Sequence, residues 1–200
     1  MRGLSITGFK LAGVALTGQG NNRVVGNQIG RAWHSIGPLG NTIGVRVATA
    51  ENDIERNTIE GNSGFPIAGV HVVGAAATGN IIADNRVGVT LDGQTPSENL
   101  GAGIAIDGAA GNIIVGNTAM RSQLGDVLIQ GVGATDNVVE DNILGLSEEG
   151  TCTWIIDDPT KGTTCGLSNP WGVGVLIRDG ASKTRVAHNL MPDGAKIEGG

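Results

Sequence analysis

Apolar and polar residues alternate in short runs along the whole chain, and these runs recur in a fixed order. One run reads NRVVGNQIG at residues 22–30 and returns as NDIERNTI, NIIADNRVG, NIIVGNTA, NVVEDNILG and, in a weaker form, TRVAHNLM. A second run, of the type GVALTG, stands eight to eleven residues before each copy. Short alternating runs predict half-buried strands, and their return every 25 to 47 residues predicts a solenoid.

The alternation also predicts which side chains point into the solenoid. The inward positions expected in the first strand are Val14, Leu16, Val45, Val47, Val70, Val72, Ile104, Ile106, Val127, Ile129, Val175 and Ile177. The residues between them, expected outside, are Ala15, Arg46, His71, Ala105, Leu128 and Leu176. The second strand adds the inward column Val24, Ile54, Ile82, Ile114, Val139 and Val186, and the return adds Ile29, Ile59, Val87, Ala119, Leu144 and Met191. A side-chain period of two therefore predicts one apolar interior shared by all coils.

Asparagine recurs at two equivalent places in each repeat. The first series is Asn22, Asn52, Asn80, Asn112 and Asn137, with Thr184 at the last copy; the second is Asn27, Asn57, Asn85, Asn117, Asn142 and Asn189. We expect these residues to turn the corners of the coil in the left-handed backbone conformation, which asparagine tolerates. Because equivalent asparagines of successive coils should lie above one another, the pattern also predicts two ladders of hydrogen-bonded side-chain amides along the axis.

Long excursions follow every second copy of the repeat, so that the larger unit is a pair of coils. They predict loops on one side of the solenoid, where repeat proteins usually place a binding surface. The largest is an insertion at residues 146–172. The candidate binding residues in these loops are Trp33, His34, Trp154, Asp157, Asp158 and Trp171. The tryptophans either stack on a sugar ring or pin their loops to the outer wall, and the sequence leaves both interpretations open.

The two cysteines, Cys152 and Cys165, both lie in this insertion. Neither has a further cysteine or histidine nearby in a metal-ligand pattern. We expect a disulfide that ties the base of the loop, which fits an oxidising compartment, although two unpaired thiols remain the alternative.

Composition and charge narrow the class of protein further. The chain has 35 glycines, 16% charged residues and 2% aromatic residues, which disfavours helices and favours short strands joined by turns. A net charge of −6 with 13 scattered lysines and arginines offers no basic stripe for nucleic acid. No apolar run approaches the length of a membrane span. Residues 1–200 are expected to form a single elongated domain.

The repeated phrases resemble those of right-handed parallel β-helix proteins of the pectate-lyase-like superfamily. The resemblance covers residues 3–191 and is closest to large secreted or surface-displayed bacterial repeat proteins. It implies an all-β, single-stranded, right-handed parallel β-helix of about six to seven coils. GLSITGF at residues 3–9 then resembles the third strand of a coil that begins before it. The same coil serves lyases, epimerases, hydrolases, phage tailspikes and inert stalks, so the resemblance leaves the chemistry open.

The residues themselves favour a non-catalytic function. The outward pairs Arg23 with Asp53, Arg56 with Asp84, and Asp141 with His188 are expected to be ordinary surface ion pairs, so no catalytic residue, metal site or cofactor is assigned. We therefore expect an extracellular stalk or adhesin-like module.

The alternative is a β-helix that binds or modifies a polysaccharide with its long-loop side, where Ca²⁺ becomes a candidate cofactor. The expected partners are neighbouring coils or domains of a longer chain, a second copy stacked head to tail, or a polysaccharide.

Overall fold

Three parallel sheets run along the length of the molecule, and each coil contributes one strand to each sheet. The computed structural model describes residues 1–30, 40–146, 155–158, 162–165, 173–191 and 196–199. For Ala68 and for the segments 155–158, 162–165 and 196–199, the backbone alone is described.

The three sheets are named here by the order of their strands within a coil. The first-strand sheet runs in the order β2 (Ala12–Leu16), β5 (Ile43–Val47), β8 (Ile67–Val73), β11 (Ala102–Asp107), β14 (Val127–Gln130), β19 (Val173–Arg178) and β21 (Lys196–Gly199). The second-strand sheet contains β3 (Arg23–Val25), β6 (Asp53–Glu55), β9 (Ile81–Ala83), β12 (Ile113–Val115), β15 (Val138–Glu140) and β20 (Arg185–Ala187). The third-strand sheet contains β1 (Ser5–Ile6), β4 (Gln28–Gly30), β7 (Thr58–Glu60), β10 (Arg86–Val87), β13 (Thr118–Ala119) and β16 (Ile143–Leu144).

The strand registers confirm the predicted columns. Val24 stands opposite Ile54, Ile54 opposite Ile82, and the column continues through Ile114 and Val139 to Val186. The first five members of this column are at most 1% exposed. Each fully buried aliphatic side chain contributes about 1.5–3 kcal/mol to folding, so the shared interior is the main source of stability. Strand β1 pairs with β4, as expected of a third strand from a preceding coil.

The outward positions of the first-strand sheet differ from the prediction. Ala105 and Leu128 were expected at the surface, but both are fully buried. They pack with Ile67 and Ala102 in a second apolar cluster outside the sheet, and Leu124 lies against it. The alternation placed these residues on the outer face correctly, but a period of two cannot show that further chain covers that face.

Both predicted asparagine ladders are present. Each asparagine that has an asparagine at the same place in the next coil donates its backbone N–H and its side-chain Nδ2–H to the Oδ1 atom of that residue. Asn57, for example, lies 2.9 Å (N) and 3.0 Å (Nδ2) from Oδ1 of Asn85. In the second ladder, the side-chain amide also donates to a strand carbonyl of the preceding coil, at 2.8 Å from Asn57 to the oxygen of Val24. The second ladder therefore ties three successive coils together.

The expected conformation of these asparagines was wrong by one residue. The left-handed conformation belongs to the residue immediately before the ladder position, for example Glu51 before Asn52 (φ 57°) and Asp84 before Asn85 (φ 53°). The corner is turned there, and the asparagine that follows is selected for its amide. Because its nitrogen and oxygen lie at fixed positions, it can donate and accept along the axis at once.

A third ladder runs along the corner between the third-strand and first-strand sheets, and the sequence repeat did not reveal it. Asn41 donates to Oδ1 of Asn62 at 3.2 Å, and Asn62 donates to Oδ1 of Asn99 at 3.0 Å. Ser122 follows at the equivalent corner, directly after Arg121, whose φ is 54°. The three asparagines lie 21 and 37 residues apart because the loops between them differ in length.

Candidate functional site on the long-loop side

All three long connections leave the same corner of the β-helix. They join the third-strand to the first-strand sheet, from β4 to β5, from β10 to β11 and from β16 to β19. The intervening coils make the same connection through short returns at residues 61–66 and 120–126. The predicted arrangement of long loops on alternate coils and on one side is therefore confirmed. The outer surfaces of these two sheets, together with their corner, are called the long-loop face below.

Most of the sequence-predicted binding residues cannot be placed on this face. Trp33, His34, Trp154 and Trp171 lie outside the described residues, and so does Cys152. Asp157 and Asp158 belong to strand β17 (Ile155–Asp158), which pairs antiparallel with β18 (Gly162–Cys165), although their side chains are not described. The insertion thus contains a hairpin rather than only irregular chain. The disulfide between Cys152 and Cys165 stays a prediction.

Glu60 is a charged residue buried on the long-loop face. It ends β7 and is only 3% exposed. Its Oε1 atom accepts a hydrogen bond of 3.1 Å from Nε2 of Gln28 in the coil below, whereas Oε2 has no hydrogen-bond partner. A buried carboxylate oxygen without a donor is costly, so Glu60 offers a strong acceptor to any hydroxyl or amide that reaches it.

His71 occupies a comparable position on the first-strand sheet, between Arg46 and Ala105 in the outward column. Neither ring nitrogen has a hydrogen-bond partner, and Nε2 lies 3.7 Å from Oδ2 of Asp107, too far for a hydrogen bond. Burial lowers the pKa of His71; Asp107 opposes this shift, and the charge of Arg46 reinforces it. The imidazole is therefore neutral at pH 7, with one donor and one acceptor available.

Asp126 is the most perturbed acid that the structure describes on this face. It starts the strand copy DVLIQG where the other copies have glycine, and its side chain is completely enclosed. Burial raises its pKa to about 8, although hydrogen bonds from the backbone N–H groups of Ser122, at 3.4 Å, and of Gly145 favour the charged form. The carboxyl group is therefore protonated at pH 7. Ser122 is also fully buried, and its Oγ atom lacks a hydrogen-bond partner.

The opposite side of the β-helix, formed by the second-strand sheet, carries exposed ion pairs. Arg23 pairs with Asp53 at 3.2 Å, and His188 lies 3.7 Å from Asp141, as predicted. Arg56 pairs with Glu55 at 3.2 Å, and not with Asp84 as expected.

One group of three side chains with metal-ligand chemistry lies close together within the described residues. It consists of Glu140, Asp141 and His188, whose ligand atoms all lie within 4.8 Å of one another. Arg185 already engages both carboxylate oxygens of Glu140, and this hydrogen bonding lowers the pKa of that glutamate. A cation would have to displace the guanidinium, so we interpret the group as an ion-pair network.

The comparison with protein families agrees with this architecture. The family model for the right-handed β-helix region matches residues 12–191. This chain belongs to the right-handed β-helix family. No curated protein and no solved structure matches the chain. None of the described segments is a helix with the length and apolar character needed to cross a bilayer. The family establishes the fold and leaves the ligand of the long-loop face to be inferred from its residues.

Proposed function

We propose that this chain is a non-catalytic segment of an extracellular bacterial β-helix protein, a stalk or adhesin-like module. The observation that carries the proposal is that the buried asparagine side chains of this protein hydrogen-bond to one another. The amide ladders hydrogen-bond one coil to the next, and a continuous apolar interior runs beneath them. These features resist separation of the coils along the axis, as a spacer requires. The likeness to surface-displayed repeat proteins supports the extracellular location and the predicted disulfide.

The experiment that tests this proposal is an assay for lyase activity. The chain is incubated with pectate, alginate and related uronates, with and without Ca²⁺, and unsaturated products are followed by ultraviolet absorbance. We expect no product above the buffer control. Cleavage that disappears in Asp157→Asn or Asp158→Asn would contradict a non-catalytic function, and a requirement for Ca²⁺ would identify the cofactor.

A second candidate function is polysaccharide binding on the long-loop face. The unpartnered oxygen of Glu60 and the unpartnered nitrogens of His71 favour it, because sugar hydroxyls both donate and accept hydrogen bonds. These atoms are themselves buried, so binding requires that the side chains around them move aside. Binding to a glycan array should fall in His71→Ala and stay unchanged in His188→Ala, a histidine on the opposite sheet. Equal binding by both variants would exclude a site at His71.

Self-association head to tail is a further proposal about partners. In the described part of the chain, β2 pairs only with β5; Leu11, directly before β2, is exposed, and so are Leu4 and Phe9 on either side of β1. A strand from a second copy could extend this sheet. Light scattering over a concentration series should then show a rising mass, and a constant monomer mass would contradict stacking.

A further inference from the structure

One position of the coil, directly before the first inward residue of the first strand, is glycine in every copy of the repeat but one. The glycines are Gly13, Gly44, Gly69, Gly103 and Gly174, and the exception is Asp126. This column of residues runs beside the third ladder. A Cβ atom on Gly13 would lie 2.6 Å from Nδ2 of Asn41, and one on Gly103 would lie 2.6 Å from Oγ of Ser122. Glycine therefore leaves the space that the side chains of the ladder occupy.

The carboxyl group of Asp126 continues the third ladder. Within that ladder, the backbone N–H of Asn41 donates to Oδ1 of Asn62 at 3.2 Å, and the N–H of Asn62 donates to Oδ1 of Asn99 at 3.0 Å. The backbone N–H of Ser122 donates in the same way to Oδ1 of Asp126, at 3.4 Å. Asp126 thus supplies, from the same coil as Ser122, the acceptor that an asparagine of the following coil supplies elsewhere.

This carboxyl group lies at the corner where the chain leaves the β-helix for the insertion at residues 146–172. It also accepts a hydrogen bond from the backbone of Gly145, one residue before that insertion. Strand β14, which follows Asp126 directly, pairs with β19, on which the chain returns from the insertion. Leu146 and Val173, at the two ends of the insertion, are only 6% and 5% exposed. Asp126 is therefore enclosed where the chain leaves and re-enters the coil stack.

The charges near Asp126 do not account for its protonation. Strand β16 has no charged residue, and the charged groups on the other elements around Asp126 are Arg121 on the return, which pairs with Glu98 at 4.0 Å, Asp107 at the end of β11, Arg178 at the end of β19, and Glu148 and Glu149 in the insertion, outside the described residues. The pKa of Asp126 is raised by burial, and only hydrogen bonds oppose this shift. Enclosure therefore decides that the carboxyl group keeps its proton.

A protonated carboxyl group resembles the side-chain amide of asparagine, because it presents a donor and an acceptor on adjacent atoms. The acceptor of Asp126 receives the N–H of Ser122. The hydroxyl oxygen of Ser122 is fully buried and has no hydrogen-bond partner, so it is available to the acid proton. An ionised carboxylate has acceptors only, and its charge is costly in an enclosed site.

We propose that Asp126 is a proton-dependent member of the third ladder, which in its protonated form holds residues 145–146 and 173–174 against the return at residues 120–126. Opening of this corner exposes the carboxyl group to water, where its pKa is about 4. In the closed corner the pKa is about 8. The closed form is therefore favoured most strongly below about pH 4, and its ratio to the open form falls about tenfold per pH unit up to about pH 8. This inference goes beyond the proposed function, because it requires no ligand or partner.

Hydrogen exchange of backbone amides in the whole chain measures the opening, once the rates are corrected for the intrinsic effect of pH on exchange. The probes are the amides of Ser122 and Gly145, and the reference is Asn57, three coils away. We expect the protection of both probes to fall about tenfold per unit between about pH 5 and pH 7, and to stay below that of Asn57 throughout. Protection equal to that of Asn57 would show that the corner opens only with the whole molecule, and protection independent of pH would exclude the carboxyl group; either result overturns the inference.

Variants assign the effect to the carboxyl group. Asp126→Asn supplies the amide of an ordinary ladder residue, so the two probes should stay protected across this pH range. Asp126→Gly, the residue of the other copies, leaves the N–H of Ser122 without an acceptor. That amide should then exchange about tenfold faster than in Asp126→Asn, and its protection should not depend on pH. The matched control is Asp136→Asn, at an exposed aspartate before β15, which should keep the pH dependence of the parent. An Asp126→Asn variant that retains the pH dependence, or an Asp136→Asn variant that loses it, would contradict the proposal.

Discussion

Replacement of one ladder asparagine in the middle of the stack should destabilise the whole β-helix. The side chain of Asn85 makes four hydrogen bonds and is only 1% exposed. Its Oδ1 accepts from the backbone N–H and from Nδ2 of Asn57, and its Nδ2 donates to the Ile54 oxygen at 2.7 Å and to Oδ1 of Asn117 at 3.0 Å. Asn85→Ala removes all of them.

The magnitude follows from the groups left without a partner. The Nδ2 of Asn57 keeps the Val24 oxygen, and Oδ1 of Asn117 keeps the backbone N–H of residue 85. The backbone N–H of Asn57 is left without a partner, whereas the carbonyl of Ile54 loses the Asn85 amide but stays within the parallel pairing of β6 with β9. An orphaned donor costs about 1–3 kcal/mol and a further lost bond about 0.5–1.5 kcal/mol, so we expect Asn85→Ala to lower the free energy of unfolding by roughly 1.5–4.5 kcal/mol. For a chain of this length, the melting temperature falls by about 2–4 °C per kcal/mol.

Equilibrium unfolding in urea, followed by circular dichroism, measures this loss, and amide hydrogen exchange at Asn57 locates it. The matched control is Asn22→Ala at the end of the other ladder. The Nδ2 of Asn22 donates to the Gln19 oxygen and to Asn52, and no backbone amide of a preceding coil depends on it. That variant should cost less than about 1 kcal/mol. Equal losses in the two variants would refute the assignment of the ladder as a structural element.

Three further predictions test the core, the buried acid and the broken ladder. Ile82→Asp places a charge in the apolar interior and should lower the free energy of unfolding by several kcal/mol. The control Ile81→Asp, on the exposed face of the same strand, should change the melting temperature little. Equal melting temperatures of the two variants would contradict the strand register. Because burial raises the pKa of Asp126 to about 8, the folded state holds a proton that the unfolded chain releases near pH 4. Stability should therefore fall by up to about 1.4 kcal/mol per unit as the pH rises from about 4 to 8, and a urea titration of Asp126→Asn that keeps this slope would exclude the carboxyl group as its origin. Thr184→Asn should raise the free energy of unfolding by about 1 kcal/mol. The new asparagine offers its Oδ1 to the backbone N–H of Asn137, whereas the hydroxyl of Thr184 is buried and has no partner. An unchanged urea midpoint would show that the ladder does not extend to residue 184.

The β-helix, its register and two of its three ladders follow from the sequence alone. The reason is that each coil stacks directly on the next, so that equivalent residues such as Val24, Ile54 and Ile82 are neighbours in space. Contacts between equivalent residues of successive coils can therefore be predicted from the sequence repeat. The long loops on one side are also predictable, because an insertion at the same place in alternate repeats must leave the same corner.

Whatever depends on contacts between unlike residues is decided by the tertiary structure. The third ladder escapes the repeat because Asn41, Asn62 and Asn99 are separated by loops of different lengths, which conceals their common position at one corner. The burial of Leu128 comes from chain that covers the outer face of a sheet, and strand alternation carries no information about such a cover. The raised pKa of Asp126 comes from its enclosure beside Ser122 and Gly145, and the repeat does not record this contact between unlike residues.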